Sequence, residues 1–369
     1  MSRLLTAVIL SLMLLMAACT TPRSVGNIDT PVHHANNGYM FLDRGMIVEA
    51  EREFNASLEL SPQYGPALAG MAVIRARQGH DKLALHLLRQ ALTYAATPEN
   101  QALIYAAAIR MYTELKSKGW LDAALNSFNR ATRLNPKSME AYYFMGLAYK
   151  ESYNFQDAER MFDQALEVPG PYRRNAFHQA HLVRIIAEYP PQTMVGKKTS
   201  LLDRINRAEA AAVLVGELGL EKLIPIPETP TPDIKDVEDQ PYRRSIEIVA
   251  RAGIKGLEPD SRGYFHPDEP VSRAELAVMA ETIIIRATGR KDLGVLLADR
   301  EPPFYDIGKS SPYYNAALLA VTWGIMDASP SNAQEFDPLG TVSGADVLRV
   351  VYKVRDRIDT IDAEPPTKI

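Results

Sequence analysis

Apolar positions along most of this chain follow a helical spacing, and small residues recur within that spacing at a nearly constant period. Alanines stand 34, 40 and 34 residues apart, each with a large apolar residue four positions later and a glycine or tyrosine five positions earlier. The alanines are Ala50, Ala84, Ala124 and Ala158, with Phe54, Leu88, Phe128 and Phe162 after them and Gly45, Gly79, Gly119 and Tyr153 before them. Small residues let helices approach closely, large ones fill the gap, and glycine permits the turn between helices. The pattern predicts four stacked helix–turn–helix units in residues 33–170.

Three capping-box patterns mark helix starts in the C-terminal half. Each has a polar residue, two intervening residues, an acid and then an apolar run, as in Asn206-Arg207-Ala208-Glu209, Ser272-Arg273-Ala274-Glu275 and Ser343-Gly344-Ala345-Asp346. The polar side chain accepts from the amide three residues on, and the acid reaches back to the amide of the cap. The last two patterns lie 71 residues apart, as do Tyr242 and Tyr313. Two features with one spacing indicate a duplicated unit.

The first repeat resembles the tetratricopeptide repeat, a helix–turn–helix unit with a period of about 34 residues. The resemblance implies protein binding at a concave face made by the first helix of each pair. The face would carry apolar and basic side chains suited to an extended peptide or a partner's helix, namely Val73, Arg77, Ile109, Lys116, Tyr143, Leu147 and Lys150. The alternative is that the C-terminal part of the chain fills this groove from within.

The second repeat resembles the S-layer homology motif, which reads as an acid with an apolar residue, an aromatic, a helix, Gly-Ile, a Phe-x-Pro turn and a second helix. Copies at 233–298 and 299–362 match over their full length, whereas residues 171–224 form a degenerate first copy. The resemblance implies a pseudo-threefold helical bundle whose grooves bind cell-wall-linked polysaccharide.

The same resemblance suggests which side chains would contact that polysaccharide. Arg207 and Arg273 are the candidate anion contacts, since a guanidinium beside first-turn amides makes an anion site. The side chains of Asp236, Tyr242, Asp306 and Tyr313 would line the same grooves. Gly344 removes the arginine from the third copy, so we expect that groove to be altered. The alternative for all three patterns is that they are helix starts and nothing more.

The N-terminus reads as a targeting segment. Arg3 precedes an apolar run, Leu4 to Met16, that is too short for a membrane-spanning helix, and Ala17-Ala18-Cys19 follows. This resembles a bacterial lipoprotein signal, which implies cleavage of residues 1–18 and lipid attachment to Cys19. Thr20 is not the aspartate typical of inner-membrane retention, which favours attachment to the outer membrane. Both the periplasmic and the outer face of that membrane are consistent with this signal. The alternative is a non-lipidated signal peptide cut after Ala18.

Composition narrows the functional classes. The net charge of −4 argues against nucleic acid as a partner, and a single cysteine excludes a disulfide framework within one chain. His178 and His181 have a spacing that can hold zinc but no evident third ligand, and we predict no metal, no cofactor and no catalytic apparatus. We therefore predict a mainly all-α protein, a tetratricopeptide-like solenoid followed by a pseudo-threefold bundle. Residues 19–32 form a flexible tether, 225–232 a proline-rich linker and 363–369 a tail.

Two functions are consistent with these features. One is a non-catalytic envelope tether that binds a wall or surface glycan through the bundle and an unidentified envelope protein through the groove. The other is an assembly or export accessory factor that acts by protein contact alone, with the bundle kept as a fold.

Overall fold

A computed structural model describes residues 29–228, 232–329 and 332–363. The predicted signal peptide, Cys19, most of the tether, the centre of the proline-rich linker and most of the tail lie outside these ranges. The described residues form sixteen α-helices and one short 3-10 helix, with two isolated β-bridges and no strand, which confirms the all-α prediction. No helix in this part of the chain combines the length and apolarity that crossing a membrane requires.

The described residues form two compact units, which divide between Ala148 and Tyr149. The helices of the N-terminal unit are α1 (Pro31–Asp43), α2 (Ile47–Leu60), α3 (Gly65–Arg77), α4 (Asp81–Thr93), α5 (Pro98–Leu115), α6 (Trp120–Leu134) and α7 (Met139–Glu151), the last of which crosses the division. Helices pair as α1 with α2, α3 with α4 and α5 with α6, and successive pairs stack through α3 and α5. This is the predicted solenoid of helix–turn–helix units.

Phe54 shows why the spacing of small and large residues produces close packing. Its ring is fully buried, and the backbones of Gly38 and Gly70 lie against it. A Cβ added at Gly38 would approach the ring to 2.6 Å, and one added at Gly70 to 2.2 Å. Ala50, one turn before Phe54 on the same helix, is also fully buried. The two glycines are therefore needed for the approach of α1 and α3, since overpacking of this kind costs about 1–3 kcal/mol.

The predicted turn positions adopt one backbone conformation in all four helix–turn–helix repeats. Gly45, Gly79 and Gly119 have φ of 74°, 76° and 77°, and Tyr153, at the equivalent place in the fourth unit, has φ 62°. Glycine adopts this left-handed region freely, but tyrosine does so at a cost of about 1–2 kcal/mol. The fourth unit therefore makes the same turn under local strain.

His34 joins the chain before α1 to both helices of the first pair. Its Nδ1 lies 2.8 Å from Glu53 Oε2 and its Nε2 lies 2.8 Å from Asp29 Oδ1, and the ring is mostly buried. Hydrogen bonds to Glu53 and Asp29 raise the pKa of His34 above its ordinary value of 6.5. The ring of His33 lies 5.7 Å away, and Asn37 donates to the same Glu53 carboxylate at 3.4 Å.

We predict a pH-dependent contact at His34. A raised folded-state pKa means that the imidazolium's contribution to stability is fully present below about pH 6.5, the unfolded value, and is lost as pH rises through the folded value. Hydrogen exchange of the first turns of α1 should therefore accelerate as pH rises through that pKa, after correction for the intrinsic rate. In His34→Gln this additional acceleration should disappear. An NMR titration that places the pKa of His34 at or below 6.5 would contradict the prediction.

The C-terminal unit contains the remaining helices. They are α8 (Phe155–Leu166), α9 (Arg173–Glu188), α10 (Met194–Thr199), α11 (Arg207–Gly216), α12 (Leu220–Leu223), α13 (Arg243–Arg251), α14 (Arg273–Thr288), α15 (Tyr314–Thr322) and α16 (Gly344–Ala363), with a 3-10 helix at Lys291–Val295. Helix α14 packs against α15 and α16, α11 packs against α13 and α16, and α9 and α10 also reach α16. One apolar core runs through this bundle from Ile205 to Ile358.

The three predicted helix starts are confirmed at the residues expected. Helices α11, α14 and α16 begin directly after Asn206, Ser272 and Ser343, and each cap side chain accepts from the amide three residues on, at 2.8, 3.2 and 3.1 Å. The segments before these caps also meet one another. The Val271 amide donates to Ile205 O at 3.0 Å, and the Ile205 amide donates to Val342 O at 3.1 Å. The three copies thus converge on one centre.

Candidate functional site

Arg207 begins α11 but does not face outward. The residue is 8 % exposed, and its guanidinium donates from Nε to Phe265 O, from Nη1 to Gly256 O and from Nη2 to Glu258 O, at 2.8, 2.7 and 3.0 Å. Its Cζ lies 4.9 Å from the ring centre of Phe265. All three carbonyls belong to the loop of the second copy. Arg207 therefore fastens the first copy to the second.

Arg273 repeats this arrangement one copy further along. It is 7 % exposed, donates from Nε to Phe336 O at 2.8 Å and from Nη2 to Asp327 O at 2.6 Å, and lies 5.1 Å from the ring centre of Phe336. Burial lowers its pKa from the ordinary value. The expected exposed cation at the helix mouth is wrong for both arginines, because the next copy's loop supplies carbonyls and a ring that suit the planar guanidinium. Glycan contact by these side chains stays a prediction.

The carboxylates of Asp236 and Asp306 accept hydrogen bonds from the backbone amides of the two Phe-x-Pro turns. The amides of Phe265 and His266 donate to the two oxygens of Asp236 at 2.8 and 2.7 Å. Asp306 accepts equivalently from the amides of Phe336 and Asp337, at 2.9 and 2.6 Å. The middle residue of each turn is left-handed, with φ 58° at His266 and 56° at Asp337. Each carboxylate therefore stabilises a turn whose middle residue has a left-handed backbone conformation, which is uncommon for residues other than glycine.

Tyr242 and Tyr313 occupy matching places at the starts of α13 and α15. Both are half-buried and pack against the bundle core. The structure thus places all six predicted glycan contacts at joints within or between the copies. Sequence spacing could align these residues with one another but could not show their partners, which lie about 30–60 residues away in the chain.

Gly344 closes the third copy onto the first. Its amide donates to Leu202 O at 2.9 Å, and a Cβ at this position would stand 1.7 Å from Thr199 O. The first copy has no Phe-x-Pro loop, and the backbone of residues 199–202 takes that place instead. The missing arginine is therefore explained by close backbone approach, because only glycine fits there.

The predicted peptide groove of the N-terminal repeats is closed to a partner at three of its seven positions. Val73 and Ile109 are fully buried and Tyr143 is 7 % exposed, so the expected open groove is wrong at these three positions. Arg77 is exposed and paired with Glu114, while Lys116 is exposed. Leu147 is half-buried, and Lys150 donates to Gln179 at 2.8 Å, with burial lowering its pKa.

Arg110 explains part of this closure within the N-terminal unit. Its guanidinium donates to Asp43 Oδ1 at 2.6 Å and to Leu42 O at 3.1 Å, at the end of α1. It also lies 5.3 Å from the ring centre of Phe144 on α7. One side chain on α5 therefore connects the first helices of three different pairs, across the face where the peptide was expected.

Within the described ranges no group of three His, Cys, Asp or Glu side chains is placed to hold a metal ion. His178 and His181, the pair with zinc-compatible spacing, are exposed on α9.

One exposed surface on the second copy was not predicted from the sequence. Tyr264 is 38 % exposed, with Lys235 Nζ 5.4 Å and Arg262 Cζ 5.7 Å from its ring centre. The available signal was an aromatic next to cations, Arg262-Gly263-Tyr264, in the loop before the Phe-x-Pro turn. Lys235 is 29 residues away from Tyr264 in the chain, and only the fold brings it there.

Comparison with known proteins supports the two-part architecture. Residues 114–152 match the TPR repeat family and residues 230–277 match the S-layer homology domain family. A search of curated proteins finds no significant match. The crystal structure of a tetratricopeptide repeat protein from Parabacteroides merdae ATCC 43184 aligns with 87 % of this chain and 98 % of its own, at 18 % identity and a TM-score of 0.29. The TPR match suggests protein–protein interaction, and the S-layer homology match suggests cell-surface glycan anchoring and an envelope association.

Proposed function

We propose that this protein is a non-catalytic lipoprotein of the cell envelope that acts as a tether or scaffold. The S-layer homology bundle binds a cell-wall or surface glycan, and the tetratricopeptide unit binds a protein partner. Lipid on Cys19 anchors the chain to the outer membrane. The observation that carries the proposal is the presence in one chain of a stacked helix-pair unit and a bundle of three interlocked copies, with family matches in both regions.

The internal contacts of the bundle support this role. Arg207, Arg273 and Gly344 each join one copy to another, so the outer loops of the copies are held in fixed positions. A glycan that contacts several loops then binds without ordering them first, which lowers the entropic cost of association. The motif residues serve binding by positioning this surface.

The protein partner would dock outside the expected groove. Val73, Ile109 and Tyr143 are buried, whereas Arg77 and Lys116 are exposed, so we place the contact at the C-terminal end of α3 and directly after the C-terminal end of α5. Crosslinking from cysteines introduced at these two positions should capture an envelope protein, and cysteines at exposed Val48 on α2 should capture it less.

A second function remains in competition because both motif arginines are turned inward. This second candidate is an assembly or export accessory factor in which the bundle has only a structural role. The burial of Arg207 and Arg273 favours this candidate, since it withdraws the two cations most suited to an anionic glycan.

Cosedimentation of the purified full chain with cell-wall preparations distinguishes the two. A glycan tether should pellet with walls that retain their polysaccharide and stay in solution with walls stripped of it, and soluble polysaccharide should compete. Equal recovery in both pellets, or none in either, would reject glycan binding and leave the accessory role.

A further inference from the structure

The loop of the second copy builds a fixed surface around an exposed aromatic ring. Asp260 accepts from the amides of Arg262 and Tyr264, both at 2.9 Å, and from the Arg262 guanidinium at 3.1 and 3.2 Å. The hydrogen bond from the Tyr264 amide is the largest cause that holds the pKa of Asp260 well below its ordinary value. The carboxylate is therefore used to shape its own loop.

Lys235 approaches the same ring from the preceding segment. Its backbone amide donates to Gly263 O at 3.0 Å and its Nζ donates to Arg262 O at 2.7 Å, so both ends of the residue are attached to the loop. Within the described ranges no carboxylate forms an ion pair with Lys235. An ammonium has three donors, and one bond to a carbonyl leaves donors and the whole charge for a ligand.

We infer that Tyr264, Lys235 and Arg262 form the subsite for one anionic sugar unit of the glycan, an inference that rests on the proposed function. Aromatic rings contribute large contact area at low entropic cost and keep a polar group for hydrogen bonding. Lys235 supplies charge complementarity to a carboxylate or phosphate on that sugar, and Arg262, whose charge Asp260 offsets, borders the ring on the other side. The sites implied by the motif residues lie at other positions, inside the joints of the bundle.

The third copy provides an internal comparison. The pairing of Lys235 N with Gly263 O recurs as Tyr305 N with Gln334 O, so Tyr305 stands where Lys235 stands and Glu335 where Tyr264 stands. Tyr305 is 68 % exposed and its hydroxyl accepts from Asn332 at 3.2 Å. The surface of the third copy therefore has an aromatic residue, Tyr305, in place of the lysine and an acid, Glu335, in place of the tyrosine. It should therefore not take an anionic sugar.

The test compares variants of the full chain in binding to walls that retain their polysaccharide. Tyr264→Ala should weaken binding about tenfold and Lys235→Gln about three- to fivefold at low salt, with the Lys235→Gln effect shrinking as salt rises. Tyr305→Ala is the matched aromatic control and should bind as the wild type does. Lys353→Gln is the matched cation control, because its Nζ lies 5.7 Å from the ring centre of Tyr189 in the same unit.

The outcomes separate this inference from the proposed function. If the wild-type chain binds no glycan, the proposed function fails and the subsite with it. If the wild type binds but Tyr264→Ala matches Tyr305→Ala, the subsite is wrong and the tether survives. Carbodiimide amidation of the walls identifies the anion: binding falls to the Lys235→Gln level for a carboxylate and is unchanged for a phosphate. Unchanged melting temperatures would show that the variants are folded.

Discussion

Arg273→Ala should destabilise the C-terminal unit by about 3–4 kcal/mol. The substitution leaves the buried Phe336 carbonyl without its donor, which costs about 1–3 kcal/mol. It also removes the hydrogen bond to the Asp327 carbonyl and the cation from the Phe336 ring, and the ring contact contributes up to about 2 kcal/mol. Arg273→Lys should recover only part of the loss, because one ammonium cannot span two carbonyls as the guanidinium fork does.

Urea unfolding followed by tryptophan fluorescence measures this effect. The chain has two tryptophans, Trp120 and Trp323, so a Trp120→Phe background makes Trp323 the reporter of the C-terminal unit. Arg243→Ala is the control, since the Arg243 side chain is 54 % exposed and forms its ion pair along its own helix, with Glu247. Its expected effect is below about 0.5 kcal/mol. Equal midpoints for Arg273→Ala and Arg243→Ala would reject the joint between the copies.

Gly344→Ala should cost about 3 kcal/mol or more, and Gly344→Arg should prevent closure of the bundle. An alanine Cβ would lie 1.7 Å from Thr199 O and 2.5 Å from Thr199 C, which are backbone atoms that cannot rotate away. The arginine version restores the residue found in the other two copies. A loss of stability in Gly344→Arg would show that the third copy has glycine at this position because the backbone at Thr199 lies against it.

Gly308→Ala is the matched control for Gly344→Ala. A Cβ at Gly308 meets no heavy atom within 4 Å, so the free energy of unfolding should change by less than about 0.5 kcal/mol. The same Trp323 fluorescence assay applies to both glycines. A Gly344→Ala midpoint equal to that of Gly308→Ala would mean that the first and third copies do not meet as described.

Local rules predicted the helices well because their causes lie within a few residues of each other. The capping boxes place α11, α14 and α16 at the expected residues, since a cap and its acid are three positions apart. The alignment of Gly45, Gly79 and Gly119 predicted turns that are left-handed in the structure. Even Tyr153, aligned with them by position alone, adopts the same conformation.

The roles of the site residues could not be predicted in the same way. Arg207, Arg273 and Gly344 occupy equivalent sequence positions, but each role depends on the loop that the next copy presents, and two of those loops have Phe-x-Pro turns while the third does not. A pattern shows that an arginine begins a helix and cannot show whether it faces solvent or the neighbouring copy.

The all-helical class, the two repeat periods and the helix starts could be read from the amino-acid sequence, because spacing and capping are local properties of the chain. The inward orientation of the motif arginines, the burial of Val73 and Ile109 and the contact of Lys235 with Tyr264 became evident from the folded chain alone. Those three facts depend on contacts between residues far apart in the chain, where burial and competing hydrogen-bond partners set the position of each side chain.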